Sequence, residues 1–321
     1  MDLNLTNLKT SANSTAEEHV KMMIIGSGPA GLSAALYAAR AELAPVLLTG
    51  TELGGQASLT HTIENYPGFP EGVGGSQLGE LFQKQAERFG ARIEFDSASE
   101  VNLSQRPYTV KTYGKTYLAD TLIIATGASP NHLKVPGEVE LTGKGVSYCA
   151  TCDGWFFKEK KVAVVGGGDS ALEEALFLTR YATEVTIIHR RDQLRAGAIL
   201  QRRAAENPRI KYLWNSVVTE VVGGDAVQSL KVKNVQTGAE SVFPTDGVFI
   251  FIGHTPNTQL FKGQIEMNEL GYIISDAKME TNLPGVFVAG EVTDSLFRQV
   301  VTSAGMGAAA AIRATHFLEN H

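Results

Sequence analysis

The sequence predicts an α/β protein in which two βαβ units form separate domains and the second unit is inserted into the first. Two glycine-rich turns, at residues 26–31 and 166–171, each follow an apolar run and precede a helix-like segment. Further apolar runs at residues 121–127 and 285–291 lie on either side of the second turn. A chain of 321 residues is long enough for about two such domains.

The first unit has the order strand, glycine turn, helix, strand. Residues 20–25 are apolar, 26–31 read GSGPAG, 33–43 are rich in alanine and 45–49 are again apolar. A G-x-G-x-x-G turn between a strand and a helix lets a dinucleotide pyrophosphate approach the helix N-terminus. The acidic residue expected at the end of the second strand is missing, because Leu48 is followed by Thr49 and Gly50, with Glu52 beyond.

The second unit repeats this order. Residues 161–165 form an apolar run, 166–171 read GGGDSA, 172–181 predict a helix and 184–189 predict the next strand. The segment HRRDQLR follows, where a fold that prefers NADH carries an acidic residue. Arginine binds a 2′-phosphate in a fixed geometry, so this unit is predicted to bind NADPH.

The order of the runs predicts the domain boundaries. Ser129 and Pro130 follow the run at 121–127, and GHTPN at 253–257 marks a second crossing. We therefore expect one domain from residues 20–129 and 258–321, and an inserted domain from residues 130–257. Residues 1–19 are expected to form a mobile extension.

Composition excludes several classes of protein. The net charge of −6 argues against a general nucleic-acid binder. No run reaches the roughly 18 apolar residues that span a bilayer, and residues 1–19 lack the pattern of a secretory signal. We expect no membrane association and a cytoplasmic location.

Both cysteines of the chain, Cys149 and Cys152, lie in CATCDG. A structural crosslink, a metal site, a haem anchor and a redox centre are the alternatives. Zinc needs about four ligands, a c-type haem needs histidine where Asp153 stands, and a static disulfide is disfavoured in the cytoplasm. A redox centre is favoured, and Asp153 is either an acid/base or the N-cap of a following helix.

The combination resembles the low-molecular-weight thioredoxin reductases of the class II pyridine nucleotide-disulfide oxidoreductases. The matching segments, in order, are GSGPAG, GGQ, ENYPGF, ATGA, CATCDG, GGGDSA, HRRDQLRA, GHTPN and RQVVTSAGMG. The resemblance implies an FAD domain and an NADPH domain, a homodimer, and rotation of the inserted domain between two half-reactions.

The resemblance also assigns residues. FAD would contact Gly26, Ser27, Gly28, Pro29, Ala30, Gly31, Gly55, Gln56, Asn65, Thr126, Gly127, Gly290, Glu291, Arg298, Gln299 and Val300. NADPH would contact Gly168, Asp169, Ser170, His189, Arg190, Arg191 and Arg195. Cys149 and Cys152 would form the redox-active disulfide, with Cys152 nearer the flavin, Cys149 attacking thioredoxin and Asp153 moving the proton. No metal is expected.

Two departures and three alternatives accompany this resemblance. Glu291 stands where the family usually has aspartate, and Trp155 where phenylalanine is commoner. The alternatives are a related reductase with a peroxiredoxin-like or other acceptor, a relative with an unusual electron donor such as ferredoxin, and a non-enzymatic sensor of both nucleotides. Intact GGGDSA and HRRDQLR segments argue against ferredoxin, and the retained cysteines argue against a sensor.

Overall fold

The computed structural model describes residues 17–60 and 62–321. Its strands are β1 (Glu17–Ile25), β2 (Val46–Leu48), β3 (Arg92–Glu94), β4 (Glu100–Asn102), β5 (Tyr108–Lys111), β6 (Thr116–Ile124), β7 (Ala128–Pro130), β8 (Val146–Ser147), β9 (Lys161–Gly166), β10 (Glu184–Ile188), β11 (Ile210–Leu213), β12 (Ser216–Gly223), β13 (Val227–Asn234), β14 (Glu240–Pro244), β15 (Gly247–Phe251), β16 (His254–Pro256) and β17 (Val286–Val288). Its α-helices are α1 (Pro29–Arg40), α2 (Gly75–Arg88), α3 (Ala150–Asp153), α4 (Asp169–Leu178), α5 (Ala198–Glu206) and α6 (Val300–Asn320), and short 3-10 helices span Gly55–Leu59, Gly154–Phe157 and Gln259–Phe261.

The chain forms two compact units. The first unit contains residues 17–53, 80–126 and 258–321, and the second contains residues 54–79 and 127–257. In the first unit the sheet has the order β3-β2-β1-β6-β5-β4, and β17 also pairs with β6. Because β1, β6 and β17 are parallel, their carboxyl ends lie at the same edge of the sheet.

Alternate side chains of β1 point to opposite faces of the sheet and belong to two separate hydrophobic cores of the first unit. Met22 and Ile24 pack with the alanine-rich faces of α1 and α6, whereas Met23 and Ile25 pack with the strands and loops of the opposite cluster. Small residues let α1 and α6 approach closely, and a Cβ on Gly307 would overlap the carbonyl oxygen of Ala30. The helix pair therefore fixes the direction in which α1 leaves the glycine turn.

The second unit has a parallel sheet of order β11-β10-β9-β15-β8. A three-stranded antiparallel sheet, β12-β13-β14, and the antiparallel pair β16-β7 complete it. Buried aliphatic side chains of β9 and β10 pack against α4 on one face. Strand β8 lies at the sheet edge, and the two cysteines follow it directly.

The predicted α/β class with two βαβ units is confirmed, and several element bounds were wrong. Strand β1 begins at Glu17, so the last three residues of the expected extension 1–19 are strand; residues 1–16 lie outside the described residues. Helix α1 begins at Pro29 and ends at Arg40, because Glu42 and Ala44 have positive φ angles of 57° and 44°. Within the described residues, no helix has the length and apolar character needed to cross a bilayer.

The assignment of residues 20–129 and 258–321 to FAD, and of residues 130–257 to NADPH, stays a prediction. The compact units change over after Thr126 and after Asn257, and residues 54–79 belong to the second unit. Sequence patterns alone do not indicate this membership, because residues 54–79 lie between β2 and the part of α2 that belongs to the first unit. The segment folds back on itself, as the hydrogen bond from Gly75 N to Thr60 O shows.

Candidate active site

The first glycine turn joins β1 to α1 and is closed by contacts that exclude side chains. Gly26 has a φ of 109°, and a Cβ on Gly31 would overlap the carbonyl oxygen of Gly26. Gly28 is the N-cap of α1, and among the described residues no atom beyond its two chain neighbours lies within 4 Å of the place where its Cβ would be. The turn is thus packed on one side and open at the helix N-terminus, which is the geometry that suits a pyrophosphate.

In the first unit, the residues predicted for FAD follow the carboxyl ends of three parallel strands or lie at the start of α6. The backbone hydrogen bonds between these strands continue beyond the strand ends, since Ala125 N donates to Ile25 O at 2.8 Å and Ala289 N donates to Ile124 O at 3.0 Å. The residues that follow are Gly26, Ser27, Gly28, Pro29, Ala30 and Gly31 after β1, Thr126 after β6, Gly290 and Glu291 after β17, and Arg298, Gln299 and Val300 at the start of α6. Gly55, Gln56, Asn65 and Gly127 belong to the second unit.

Two side chains at this edge hold its loops. Ser27 Oγ donates to Thr49 O at 2.9 Å, which ties the glycine turn to the end of β2. Asp294 is buried and accepts backbone N–H bonds from Leu296 at 2.9 Å and Phe297 at 2.8 Å. The Asp294 carboxylate also accepts from Arg298 N at 3.1 Å. It thus shapes the loop before α6, a role that the sequence analysis missed although an aspartate opening a loop is a known turn signal.

Glu291 lies just after β17, where its backbone follows a glycine with a φ of 80°. Burial raises the pKa of Glu291 to about 7, and Arg298 opposes this rise while Asp294 adds to it. A carboxyl with such a pKa is partly protonated at neutral pH and can donate as well as accept a hydrogen bond. Glu291 therefore suits contact with a ligand hydroxyl in either protonation state.

Glu291→Gln is expected to remove a pH-dependent loss of stability from flavin-free protein. Between pH 4.5 and about 7 the folded state keeps a proton that the unfolded state releases, so the free energy of unfolding falls as pH rises through this window. The loss reaches about 3 kcal/mol above pH 7. Urea unfolding from pH 4.5 to 8 measures it, as the difference between wild type and variant.

The control for this experiment is Glu269→Gln, which replaces an exposed carboxylate of the same unit. Its unfolding curve should follow wild type at every pH. If Glu291→Gln also follows wild type across the window, the carboxyl of Glu291 does not hold its proton in the folded state.

The second glycine turn joins β9 to α4 and repeats the design of the first. A Cβ on Gly166 would lie 2.5 Å from Phe251 O, whereas at Gly168, the N-cap of α4, no described atom beyond its two chain neighbours lies within 4 Å of the Cβ position. Asp169 Oδ1 accepts from Gly197 N at 2.7 Å, and the carbonyl oxygen of Gly167 accepts from Arg195 N at 2.7 Å. These two bonds fold the basic segment after β10 back onto the glycine turn.

His189 lies at the end of β10 and is 5% exposed. Its ring lies against Gly167, where a Cβ would clash with ring atoms. Among the described residues, none forms a hydrogen bond with Nε2, which is fully buried. Burial lowers the pKa of His189, backbone hydrogen bonding with Gln193 and Gly166 opposes this fall, and the nearby Arg195 and Arg190 add to it. The His189 ring therefore packs against the glycine turn and presents no solvent-accessible Nε2 to a ligand in this structure.

The residues predicted for NADPH thus come together at the ends of two adjacent parallel strands. Gly168, Asp169 and Ser170 follow β9, and His189, Arg190, Arg191 and Arg195 follow β10. The side chains of the three arginines are exposed. The open position at Gly168 and the flanking guanidinium groups fit a phosphorylated dinucleotide.

Cys149 and Cys152 form a disulfide with a Cα–Cα distance of 5.3 Å. Cys149 is the N-cap of α3, and Cys152 N donates to Cys149 Sγ at 3.2 Å. Asp153 ends α3, and burial raises the pKa of its carboxyl while a hydrogen bond from Ser147 opposes the rise. The structure therefore places a dithiol couple beside a carboxyl that holds a proton more tightly than a free aspartate does.

A second buried carboxylate supports the chain before the disulfide. Tyr148 OH donates to Glu138 Oε1 at 2.9 Å, and Glu138 also accepts from Leu133 N at 2.9 Å and Lys134 N at 2.7 Å. His132 Nδ1 lies 2.8 Å from the Tyr148 hydroxyl. This network links the start of the 131–138 segment to the residue before Cys149. The sequence analysis missed it, because no pattern of adjacent residues indicates which amides and hydroxyls bond to Glu138.

Two dinucleotide-type βαβ units and a C-x-x-C disulfide in one chain define a nucleotide-dependent disulfide oxidoreductase. The family model described as pyridine nucleotide-disulphide oxidoreductase matches residues 20–307. The chain belongs to this family, and within it to the thioredoxin reductases. Membership implies a flavin and a pyridine nucleotide, and both glycine turns fit such groups.

Individual thioredoxin reductases are similar to this chain over nearly its whole length. A thioredoxin reductase of Rickettsia bellii is 52% identical over 303 residues, which cover 93% of this chain and 98% of that protein. One from Coxiella burnetii is 47% identical over 312 residues, covering 94% and 98%. The crystal structure of thioredoxin reductase from Streptococcus pyogenes MGAS5005 aligns with a TM-score of 0.91 at 42% identity, covering 96% of this chain and 100% of that one.

Proposed function

We propose that this chain reduces oxidised thioredoxin with electrons that pass from NADPH through FAD to the Cys149–Cys152 disulfide. The observation that supports this most directly is the disulfide itself, which lies beside the half-buried Asp153, whose carboxyl has a raised pKa. The second unit that bears it also carries the glycine turn and the arginines suited to NADPH. The similarity to thioredoxin reductases over nearly the full chain supports the choice of acceptor.

Bound FAD would supply a centre that takes a hydride from a nicotinamide and passes two electrons to a disulfide. In the first unit, the open amides around Gly28 would hold its pyrophosphate and Glu291 would meet a ribityl hydroxyl. The remaining contacts are those predicted from the resemblance: Gly26, Ser27, Pro29, Ala30, Gly31, Gly55, Gln56, Asn65, Thr126, Gly127, Gly290, Arg298, Gln299 and Val300. Their assignment to FAD is a proposal, as is the assignment of the seven NADPH residues.

The cysteines and Asp153 would perform the chemistry that belongs to the chain. Once the disulfide is reduced, the Cys149 thiolate attacks the disulfide of thioredoxin and forms a mixed disulfide. Cys152 then attacks Cys149 Sγ, which closes the internal disulfide and releases reduced thioredoxin. The amide of Cys152, which donates to Cys149 Sγ, stabilises negative charge on that sulfur. Asp153 exchanges the proton that accompanies these steps.

Exposed aromatic side chains next to the disulfide support a macromolecular acceptor. Trp155 is 54% exposed and Phe156 is 42% exposed. The Trp155 ring packs edge-on against Tyr181 at 5.8 Å, and Lys158 Nζ lies 5.2 Å from its centre. A rigidly held apolar ring of this kind is a common anchor in protein interfaces. A homodimer, a cytoplasmic location and a rotation between half-reactions remain predictions from the resemblance.

Anaerobic titration of the yellow holoprotein tests the proposal. NADPH should bleach the flavin absorbance, NADH should do so only at much higher concentration, and oxidised thioredoxin should restore the colour. Absence of bleaching by NADPH contradicts the proposed donor. Bleaching that thioredoxin does not reverse, but a peroxiredoxin-like disulfide does, selects the alternative acceptor.

A further inference from the structure

A buried hydroxyl links the two groups that the proposed reaction uses. Ser147 ends β8 and is 4% exposed. Its Oγ donates to Asp153 Oδ2 at 2.6 Å and accepts from Cys149 N at 3.1 Å. The carbonyl oxygen of Cys149 lies 3.2 Å from the same Oγ, so the single hydroxyl proton has a shorter contact with the carboxyl. Ser147 therefore holds both the acid and the first cysteine.

Ser147 is itself held in place by the sheet. Strand β8 pairs in parallel with β15, and Ser147 lies opposite Phe249, which is fully buried. Asp153, by contrast, ends a helix of only four residues. Because a helix of four residues is stabilised mainly by its tertiary contacts, the orientation of the Asp153 carboxyl depends on the groups that it bonds to. The hydroxyl of Ser147 supplies that bond from a rigid element.

We propose that Ser147 is a positioning residue for proton transfer at the Cys149–Cys152 disulfide, acting through the carboxyl of Asp153. The inference rests on the proposed function, in which Asp153 exchanges the proton. Ser147 neither bonds to a sulfur nor transfers a proton itself. It fixes which way the acid points and keeps the backbone of Cys149 at a constant distance from it.

Reduction of the disulfide requires two electrons and, at neutral pH, a proton for one of the two sulfurs. Two electrons from the reductant break the S–S bond, one sulfur takes the proton of the Asp153 carboxylic acid and becomes a thiol, and the other becomes a thiolate. Asp153 becomes a carboxylate, to which the O–H of Ser147 donates a stronger hydrogen bond than to the neutral acid. Ser147 thus stabilises the product of the transfer and orients the donor before it.

The charged groups on the elements packed against α3 do not mask the effect of Ser147 on the pKa of Asp153. The elements packed against α3 are α4, which bears Asp169, Glu173 and Glu174, and the 3-10 helix Gly154–Phe157, whose side chains do not titrate. Within the described residues, burial raises the pKa of Asp153, and the only opposing influence is the bond from Ser147. Loss of that bond should therefore raise the pKa further.

Ser147→Ala tests the inference through reduction of the disulfide by dithiothreitol, with flavin-free protein and with holoprotein. Thiols formed are alkylated with iodoacetamide and counted by mass spectrometry, and each rate is divided by the wild-type rate at the same pH. At pH values where Asp153 still holds its proton, we expect Ser147→Ala to be reduced about tenfold more slowly than wild type. At the alkaline end of the pH–rate profile, the fall in rate should occur at a higher pH than in wild type. Ser216→Ala removes another serine that is 4% exposed in the second unit, and should leave both unchanged.

A double variant separates action through Asp153 from a general effect. In an Asp153→Asn background, Ser147→Ala should cause no further slowing, because the acid through which Ser147 acts is already absent. Equal slowing with and without Asp153→Asn overturns the inference, as does a Ser147→Ala profile identical to that of Ser216→Ala.

Two nearly isosteric variants keep the test decisive if Ser147→Ala does not fold. Ser147→Thr keeps the hydroxyl and should retain the wild-type pH profile, whereas Ser147→Val should reproduce the loss. Equal profiles for this pair overturn the inference. Because dithiothreitol replaces NADPH and thioredoxin in these assays, a failure of the proposed function would appear in the anaerobic titration and not here.

Discussion

Cys149→Ser is expected to abolish reduction of thioredoxin while leaving reduction of the flavin by NADPH intact. A serine hydroxyl cannot form the internal disulfide, so electrons that reach the flavin have no route to a protein acceptor. The residues predicted for NADPH lie after β9 and β10 and do not include the cysteine, so binding and hydride delivery should persist. Anaerobic bleaching and thioredoxin turnover, measured on the same preparation, separate the two half-reactions.

The companion variant Cys152→Ser tests which sulfur attacks the partner. It leaves Cys149 at the N-cap of α3, where the amide of residue 152 donates to its sulfur. This variant should therefore trap thioredoxin lacking its own second cysteine as a mixed disulfide, visible on a non-reducing gel. Cys149→Ser should trap none. Trapping by Cys149→Ser alone would reverse the assignment of the two cysteines.

Combined replacement of Arg190 and Arg195 by alanine should raise the KM for NADPH about 100-fold and leave that for NADH nearly unchanged. Each charge-assisted hydrogen bond to a phosphate contributes about 1.5–3 kcal/mol, and NADH lacks the 2′-phosphate. These two arginines lie close enough to His189 to lower its pKa, which places their charges beside the second glycine turn. Steady-state kinetics with both nucleotides measure the change.

Arg202→Ala is the matched control for the arginine pair, because Arg202 is an exposed arginine on α5 of the same unit. It should leave both KM values at wild-type levels. If the double variant weakens NADPH and NADH equally, the arginines contact a part of the cofactor that both share. That result would contradict their assignment to the 2′-phosphate.

The order and type of the elements around both glycine turns followed from the sequence, because they depend on local properties. An apolar run, a glycine turn and an alanine-rich segment dictate strand, turn and helix with few contributions from elsewhere. Element ends were less well predicted. Strand β1 extends back to Glu17 because residues from Glu17 onward pair with β6 from Thr116 onward, a partnership between distant segments.

Sequence motifs predicted the site residues, but they did not predict the residues that support them. His189 could be predicted from its distance to the second turn, but its burial and its unpaired Nε2 depend on packing against Gly167. Ser147 and Asp294 escaped prediction because a single serine in a strand or a single aspartate in a loop resembles many others. Their roles depend on which backbone amides and carboxyl oxygens lie within hydrogen-bonding distance.

The sequence by itself determined that the chain contains two dinucleotide turns, a basic segment after the second turn and one C-x-x-C, since each is a pattern of adjacent residues. Tertiary structure alone decided the proton affinity of Asp153 and Glu291. Those values depend on how completely water is excluded from each carboxyl and on which donors or charges lie near it. Exclusion of water and contacts between distant segments arise only when the chain has folded.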